Sequence, residues 1–270
     1  MDFSNIAIIG GGNLGSAIAK GIVSLNIFGK ENVRICEKRT LRVKFLQELG
    51  FNVIDSNLNE TIRNADTIII SVKPQQFYKL LEDLKQLLKP GQILISTVTG
   101  ISLAEIEKII GKHPTVRIMP NTAIEIKESM TCICFNNTSK QQEDQVVTLF
   151  DQLGQTILLQ EELLDAVTVL GACGIAFALR FIRAATQGGI EIGFSAEVSQ
   201  YIVSQTVKGA ARLLYENNSH PESEIDKVTT PQGITISGLN EMEHQGFSSS
   251  VIKGLITSYN KLTLMDSNKK

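Results

Sequence analysis

Three glycines near the amino terminus have the types and spacing of a phosphate-binding turn. Gly10, Gly12 and Gly15 form a GxGxxG pattern in which Asn13 and Leu14 separate the last two glycines. The pattern follows an apolar run that predicts a strand, and it opens a stretch that predicts a helix. Glycine permits the sharp turn and lets a pyrophosphate approach the backbone, while the helix N-terminus presents unpaired N–H groups to the anion. The turn therefore predicts dinucleotide binding.

Charged residues at the end of the second predicted strand bear on which dinucleotide binds. Glu37 occupies the position where an acidic side chain accepts hydrogen bonds from a ribose 2′-hydroxyl, which favours NADH. Lys38, Arg39 and Thr40 follow at once, and these are groups that the 2′-phosphate of NADPH requires. Solvated loop charges explain the two cations equally well. The sequence leaves the choice between NADPH and NADH open.

Three later strand ends carry turn residues that are expected to face the same crevice, because ligands of doubly wound sheets bind at the carboxyl ends of the strands. These residues are Lys73 and Pro74 after the fourth strand, Thr99 after the fifth, and Met119, Pro120 and Asn121 at the sixth. Met119 and Pro120 would give a nicotinamide ring an apolar wall. Asn121 and Lys73 would supply hydrogen-bond donors. We predict that all six contact the cofactor.

The elements that must position these residues alternate between two periodicities. Short apolar β-branched runs predict strands at 6–9, 33–36, 51–54, 67–72, 93–96 and 116–118, with two more at 130–134 and 156–159. Amphipathic stretches at 14–25, 41–49 and 77–88 predict covering helices. After about residue 162 only helical patterns remain, at 166–185, 196–216, 234–245 and 247–260. The fold class is therefore α/β: a Rossmann-type, doubly wound, mainly parallel sheet at 1–162 and an all-helical domain at 163–270.

Charge and composition exclude several classes of function. The 270 residues carry a formal net charge of -2 and no dense basic run, which excludes nucleic acid as an expected partner. The longest apolar stretch, at 166–179, is shorter than the ~20 residues that span a bilayer. We expect it to be a buried helix, with no membrane partner. The histidines and cysteines lack metal-ligand spacing, so no metal is expected.

Two further features predict a cytoplasmic location. The first five residues lack a positively charged segment of the kind that begins a secretory signal. The four cysteines, at positions 36, 132, 134 and 173, do not suggest a disulfide scaffold. We interpret them as reduced packing residues.

Several motifs are more specific than the fold. They are VKPQ at 72–75, RIMPNT at 117–122, GAARLL at 209–214 and DKVTTPQGITISGL at 226–239. On these motifs the sequence resembles the pyrroline-5-carboxylate reductases over nearly its whole length. The resemblance implies NAD(P)H-dependent reduction of 1-pyrroline-5-carboxylate to L-proline, in proline biosynthesis. It also implies a homo-oligomer in which the helical domain pairs two subunits, and in some members a ring of dimers.

The resemblance also assigns roles to residues in the helical half. The loop that would hold the substrate carboxylate comprises Val228, Thr229, Thr230, Gln232, Gly233 and Ile234. Thr235 matches the active-site threonine of the family. The residue types suit this task, because a loop of threonine and glycine that leads into a helix offers N–H groups and hydroxyls to a carboxylate.

The sequence departs from the family pattern at three places. Gln232 replaces a glycine and would be strained if the turn requires a positive φ. The usual SGSGPA run reads GACGIA at 171–176, so that Ile175 replaces the proline, and Arg183 replaces a glutamate. These changes leave open a reductase of a different cyclic imine or a non-catalytic nucleotide-binding relative. A β-hydroxyacid dehydrogenase is a further alternative, although the lysine typical of that class is absent from 165–190.

Overall fold

The computed structural model describes residues 5–27 and 29–267, and side chains up to residue 264. Four of the five residues that argue against a secretory signal lie outside this range. The chain divides into two compact units. The first comprises residues up to Cys173 together with those from Lys261 onward, and the second comprises Gly174–Asn260. Each unit is described by itself.

The first unit contains an eight-stranded sheet. Its strands are β1 Ile6–Ile9, β2 Val33–Glu37, β3 Asn52–Asp55, β4 Thr67–Ile70, β5 Ile93–Ser96, β6 Thr115–Met119, β7 Ser129–Asn136 and β8 Gly154–Leu158. Their order is β3-β2-β1-β4-β5-β6-β7-β8. The first six strands are parallel, β7 runs antiparallel to β6, and β8 is parallel to β7. The predicted doubly wound sheet is confirmed, and its strand order reverses between β1 and β4, where a ligand crevice is expected.

Side chains on the two faces of the central strands enter separate apolar cores. On β1, Ile6 and Ile8 pack in one core, while Ala7 and Ile9 pack in the other. Fully apolar strands therefore result from burial on both faces. The covering helices are α1 Asn13–Val23, α2 Thr40–Glu48, α3 Leu58–Ile62, α4 Pro74–Lys85, α5 Leu103–Ile110 and α6 Lys140–Asp151. Cys132 and Cys134 are buried on one face of β7, and the described cysteines form no disulfide.

Helices make up the remainder of the described chain. They are α7 Leu164–Val167, a π-helical segment Thr168–Cys173, α8 Gly174–Glu191, α9 Ala196–Asn217, α10 Pro221–Lys227, α11 Ile234–His244 and α12 Phe247–Ser267. The predicted all-helical texture is confirmed. The helix α10 begins at a proline: Pro221 is the first helical residue, and His220 Nδ1 accepts a hydrogen bond from the Glu222 N–H.

The prediction of a buried helix at 166–179 is wrong for the single chain. In α8 no side chain is buried, and Leu179 is 58% exposed. The pattern alone could not distinguish a helix buried within one chain from a helix that is covered by something else.

The described residues contain one helix, Glu161–Glu191, that is long and apolar enough to cross a membrane, and 11% of its most apolar window is buried. Length and composition alone are weak evidence that this helix crosses a membrane, because the core helices of soluble proteins meet the same criteria.

Candidate active site

The glycine turn joins β1 to α1 at the point where the sheet reverses its strand order. Gly10 N–H donates to the Cys36 carbonyl at 2.9 Å. The φ of Gly10 is 106°, and a Cβ there would run into the Ser71 carbonyl oxygen. A Cβ on Gly15 would run into the Gly10 carbonyl oxygen. Two glycines of the motif are therefore required by the turn itself.

The middle glycine of the motif has a different role. A Cβ on Gly12 would meet only Nη2 of Arg39, at 3.9 Å, among the atoms of the described chain. Gly12 is also the N-cap of α1. Asn13 and Leu14 are the first two residues of this helix, and its first turn contains no acidic residue. Open space beside backbone N–H groups at a helix N-terminus fits a pyrophosphate. Of the three glycines of the motif, only Gly12 leaves room for a ligand, and Gly12 is also the one that the backbone of the turn does not require.

Glu37 ends β2 beside this turn, and its carboxylate is 5% exposed. Its Oε2 accepts hydrogen bonds from Gly11 N–H at 3.1 Å and from Arg39 Nη2 at 2.8 Å. Its Oε1 accepts from the N–H groups of Lys38 and Arg39, both at 2.9 Å, and from Arg39 Nε at 3.1 Å. Burial acts to raise the pKa of Glu37, but the hydrogen bonds from Arg39 and the backbone outweigh it, so the pKa lies below its ordinary value.

A second arginine, which sequence reasoning missed, stabilises the glycine turn. Arg42 Nε donates to the Gly11 carbonyl at 2.6 Å, and Arg42 Nη2 donates to Ser16 Oγ at 2.7 Å and to the Gly12 carbonyl at 3.3 Å. A guanidinium on α2 therefore binds the Gly11 carbonyl and adds a longer bond to the Gly12 carbonyl, which already accepts the Ser16 N–H of α1 at 2.9 Å. The only signal in the sequence was a basic residue in the first turn of that helix.

The ends of β4 and β5 lie on the same edge of the sheet as the glycine turn. Lys73 is exposed and is the N-cap of α4, with Pro74 as the first helical residue. Thr99 is half-buried in the turn after β5, next to Gly100 with a φ of 72°. Thr97 Oγ1 donates to the Ile70 carbonyl at 3.1 Å and ties the ends of the two strands together.

The end of β6 differs from the expectation. Met119 is 4% exposed, because its side chain packs in an apolar cluster with Leu103 and Leu164, and it therefore forms no apolar wall on the crevice. Pro120 is also buried. Asn121 Oδ1 accepts from Ala123 N–H at 3.0 Å, and Asn121 Nδ2 donates to the Gly171 carbonyl at 3.3 Å. The amide donor proposed for the cofactor is thus used to hold the π-helical segment.

The predicted substrate loop lies in the helical unit. Gly233 N–H donates to the Thr230 carbonyl at 2.9 Å across Pro231 and Gln232. Gln232 has a φ of 59°. Proline followed by a residue with positive φ is the pattern of a type II turn, which favours glycine at the third position. The strain that was expected if this position requires a positive φ is therefore present.

The turn delivers the chain to the N-terminus of α11. Gly233 is the N-cap without a side-chain bond, and Ile234 is 94% exposed. Thr229 Oγ1 donates to the Asp226 carbonyl at 3.2 Å. Thr235 is exposed, and its hydroxyl makes no hydrogen bond within the described part of the chain. Val228 is exposed as well. The loop thus presents free helix N–H groups and the hydroxyls of Thr230 and Thr235, which make no hydrogen bond among the described residues, to the solvent.

The structure brings the predicted residues together as two groups, one in each unit. The sheet unit carries the glycine turn, Glu37 to Arg39 and the strand ends, and the helical unit carries the loop at 228–235. Arg183 lies exposed on α8, and nothing in the structure explains its presence there. The altered run at 171–176 begins within the π-helical segment.

A glycine turn at the switch point of a doubly wound sheet, next to cations and followed by a helical domain, defines an oxidoreductase of the dinucleotide-binding class. Two family models match the chain: "NADP oxidoreductase coenzyme F420-dependent" over residues 5–100, and "Pyrroline-5-carboxylate reductase dimerisation" over residues 161–265.

Individual relatives are more specific than the class. The chain is 44% identical to pyrroline-5-carboxylate reductase 2 of Dictyostelium discoideum, over 95% of this chain and 91% of that protein. It is also 44% identical to reductase 1 of the same organism, over 99% of this chain but only 51% of that longer protein. A Plasmodium falciparum pyrroline carboxylate reductase structure with NADP bound has a TM-score of 0.87 at 28% identity, covering 97% of this chain and 98% of that one. The chain belongs to the pyrroline-5-carboxylate reductase family.

Proposed function

We propose that this chain reduces 1-pyrroline-5-carboxylate to L-proline with a reduced nicotinamide dinucleotide, in proline biosynthesis. Membership of the family supports the reaction class, an NAD(P)-dependent oxidation–reduction on a CH–NH bond. One observation in the structure supports it most directly. The chain contains both an open glycine turn, at Gly12, and a second helix N-terminus with free N–H groups, at Ile234. A dinucleotide and a small acid each need one such site.

The glycine turn would hold the pyrophosphate of the cofactor. The first-turn N–H groups of α1 and the open face of Gly12 supply the anion site, while Arg42 keeps the turn in shape. When bound, the nicotinamide supplies the hydride. Lys73, Pro74, Thr99 and the turn at 119–121 stay proposals as further cofactor contacts, with the 119–121 turn acting through its main chain.

The α11 N-terminus would hold the substrate carboxylate. The N–H groups of Ile234 and Thr235 donate to no acceptor among the described residues, and the helix dipole favours an anion there. The Thr230–Gly233 hydrogen bond fixes the turn that aims these groups. Binding the carboxylate at one end of the ring fixes the imine carbon relative to the cofactor, which is the main requirement of hydride transfer.

Thr235 would act on the imine nitrogen. Its hydroxyl stands one residue into α11, next to the carboxylate site, and has no partner that competes for it in the described residues. As the imine becomes an amine, the hydroxyl orients or relays a proton to the nitrogen. If the imine binds in its protonated form, hydride addition gives the amine without a further proton donor, and the hydroxyl then only orients the nitrogen.

Substitution of Thr235 tests this assignment. We expect Thr235→Ala to lower kcat/KM for the imine by about 100-fold, within the range of general acid–base contributions, because the hydroxyl is lost. Thr235→Ser keeps the hydroxyl and should recover most of the rate. NADPH affinity, measured by fluorescence titration, should be unchanged in both variants. Full turnover by Thr235→Ala would remove Thr235 from the mechanism, and turnover of hydroxyacids in place of imines would favour the dehydrogenase alternative.

The helical unit would pair two subunits. Its match to a dimerisation model and the exposed apolar side chains of α8 support this assignment. The domain boundary near residue 162 stays our proposal, and the dimerisation model begins close to it, at residue 161. Rings of dimers and a cytoplasmic location rest on the sequence alone and stay predictions.

A further inference from the structure

The carboxylate of Glu37 is saturated by the protein itself. An ionised carboxylate offers about four lone-pair sites, and Glu37 already accepts five hydrogen bonds from three residues. These donors are the N–H groups of Gly11, Lys38 and Arg39 and two nitrogens of the Arg39 guanidinium. A ribose 2′-hydroxyl would therefore find no free acceptor on this side chain. The acidic residue that favours NADH by its position does not offer the chemistry that NADH recognition needs.

The cations next to Glu37 are presented to the solvent. Lys38, Arg39 and Thr40 are all exposed, and Lys38 Nζ has no partner among the described residues. Arg39 is held by Glu37 through Nε and Nη2, while its Nη1 makes no bond within the described chain. Its Nη2 lies 3.9 Å from the position that a Cβ on Gly12 would take, so the guanidinium lies at the mouth of the phosphate turn.

The backbone at this point also favours an anion. The α2 helix begins at Thr40, its N-cap Arg39 makes no capping bond, and its first turn has no acidic residue. Asp55, which pairs with Glu37 in the β2–β3 register, is the nearby acid on the next strand, and it accepts from Ser56 Oγ at 2.8 Å. With Arg42 bound to the glycine turn, three cations face two carboxylates, and the balance is positive.

We propose that Glu37 is a positioning residue that orients Arg39 toward the 2′-phosphate of NADPH, and that it does not bind the ribose of NADH. The carboxylate fixes the Arg39 guanidinium in a two-point pair, so less freedom is lost when a phosphate binds beside it. Lys38, Thr40 and the α2 N-terminus complete the phosphate site. This inference rests only on the dinucleotide half of the proposed function.

The test uses two ligands that differ only in the 2′-phosphate: adenosine 2′,5′-bisphosphate and 5′-AMP. Isothermal calorimetry on the full chain should give a Kd for the bisphosphate about tenfold or more below that for AMP, the effect of one charge-assisted hydrogen bond. In Arg39→Ala the ratio should fall below about threefold while the Kd for AMP stays unchanged. Lys44→Ala removes an exposed cation from the same helix and should leave the ratio intact.

Glu37→Gln separates a positioning role from the two alternatives. If Glu37 orients Arg39, the variant loses affinity for the bisphosphate while AMP binding changes little. If Glu37 binds the ribose hydroxyl, the variant loses AMP and keeps the bisphosphate, and the proposal is overturned. An equal loss for both ligands would assign Glu37 only to the turn, and this also overturns it. Neither ligand is a reactant, so the outcome is independent of whether the chain reduces the imine.

Discussion

The two units of the chain differ in how much of their apolar surface they bury. In the sheet unit, every residue of β1, β4, β5 and β6 is buried. In the helical unit, α8 and α11 have no buried residue, and α9 has only Ser199. A single soluble chain does not usually leave helices so apolar and so exposed. The sheet unit is therefore completed by its own sequence, whereas the helical unit is built to be covered by a partner.

The two turns that precede helix N-termini show the same contrast. The turn at Gly10–Gly15 is buried on one side and is tied by Glu37 and Arg42. The turn at Thr230–Gly233 is closed by one backbone hydrogen bond and leads to the exposed Ile234. The first turn is therefore held by side chains from β2 and α2. The second turn has only that backbone hydrogen bond across it, and side chains from other elements do not tie it in the described part of the chain.

Two alanine substitutions in the glycine motif should separate an effect on stability from an effect on cofactor affinity. These are the largest effects that we expect. Gly15→Ala places a Cβ against the Gly10 carbonyl oxygen, so it should destabilise the sheet unit by about 3 kcal/mol. Gly12→Ala meets nothing closer than Arg39 Nη2 and should leave stability unchanged. It should nevertheless weaken NADPH by at least about tenfold, because the Cβ occupies the space of the pyrophosphate. Urea unfolding and a cofactor titration provide the two readouts. Equal NADPH affinity in Gly12→Ala and the wild type would move the pyrophosphate away from this turn.

The exposed helical face gives the next largest effect. Leu179→Glu changes a side chain that is 58% exposed, so in an isolated chain it should alter stability by no more than about 0.5 kcal/mol. If a partner covers α8, the buried charge breaks the pair. Light scattering should then fall from twice 29.6 kDa to a single 29.6 kDa species. Ile126→Glu, at an apolar residue of the sheet unit that is 70% exposed, serves as the control and should remain paired. A Leu179→Glu dimer as tight as the wild type would show that this part of α8 lies outside the interface.

Most of the fold could be predicted because its signals are local. The strand β1 and the turn after it are read from four apolar residues and three glycines, and both are confirmed. The helices α5 and α6 were not predicted, although each begins with a capping box, Ser102 with Glu105 and Ser139 with Gln142. Each has four large apolar residues, as many as α2, which was predicted. The signal was therefore present both at the caps and in the apolar pattern, and it was not used.

The candidate site was less predictable, because it depends on contacts between distant residues. Nothing in the local sequence shows that the Glu37 carboxylate would accept hydrogen bonds from Gly11 and Arg39, or that the Met119 side chain would pack in a core with Leu164. The burial of α8 was predicted wrongly for a similar reason. An apolar helix has the same sequence whether its own chain or a second copy covers it.

Acid should weaken the contact between the first turn and β2. The pKa of Glu37 lies below its ordinary value of 4.5, so its contribution to stability is present above that pH and is lost as the pH falls through the lowered pKa. Glu37→Gln should therefore cost about 1–2 kcal/mol at about pH 7, and the cost should shrink below about pH 4. Urea unfolding at several pH values measures it. Glu48→Gln changes an exposed carboxylate at the end of α2, and its effect on the free energy of unfolding should not depend on pH in this way. A cost that stays constant with pH would mean that the Glu37 charge is not what stabilises the turn.

The smallest expected effect concerns the second turn. Gln232 has a φ of 59°, which costs a residue with a side chain about 1 kcal/mol of folding free energy. Glycine would remove this strain, but its larger entropy in the unfolded state would offset part of the stabilisation. Gln232→Gly should therefore stabilise the chain by about 0.5 kcal/mol, measured as a shift in the urea midpoint. Gln245→Gly, at the other end of α11 with a φ of -79°, relieves no strain and should destabilise. If Gln232→Gly instead loses stability while imine turnover falls, the glutamine side chain contributes contacts that offset its strain. The loop would then be adapted in this chain to a side chain where the family has none.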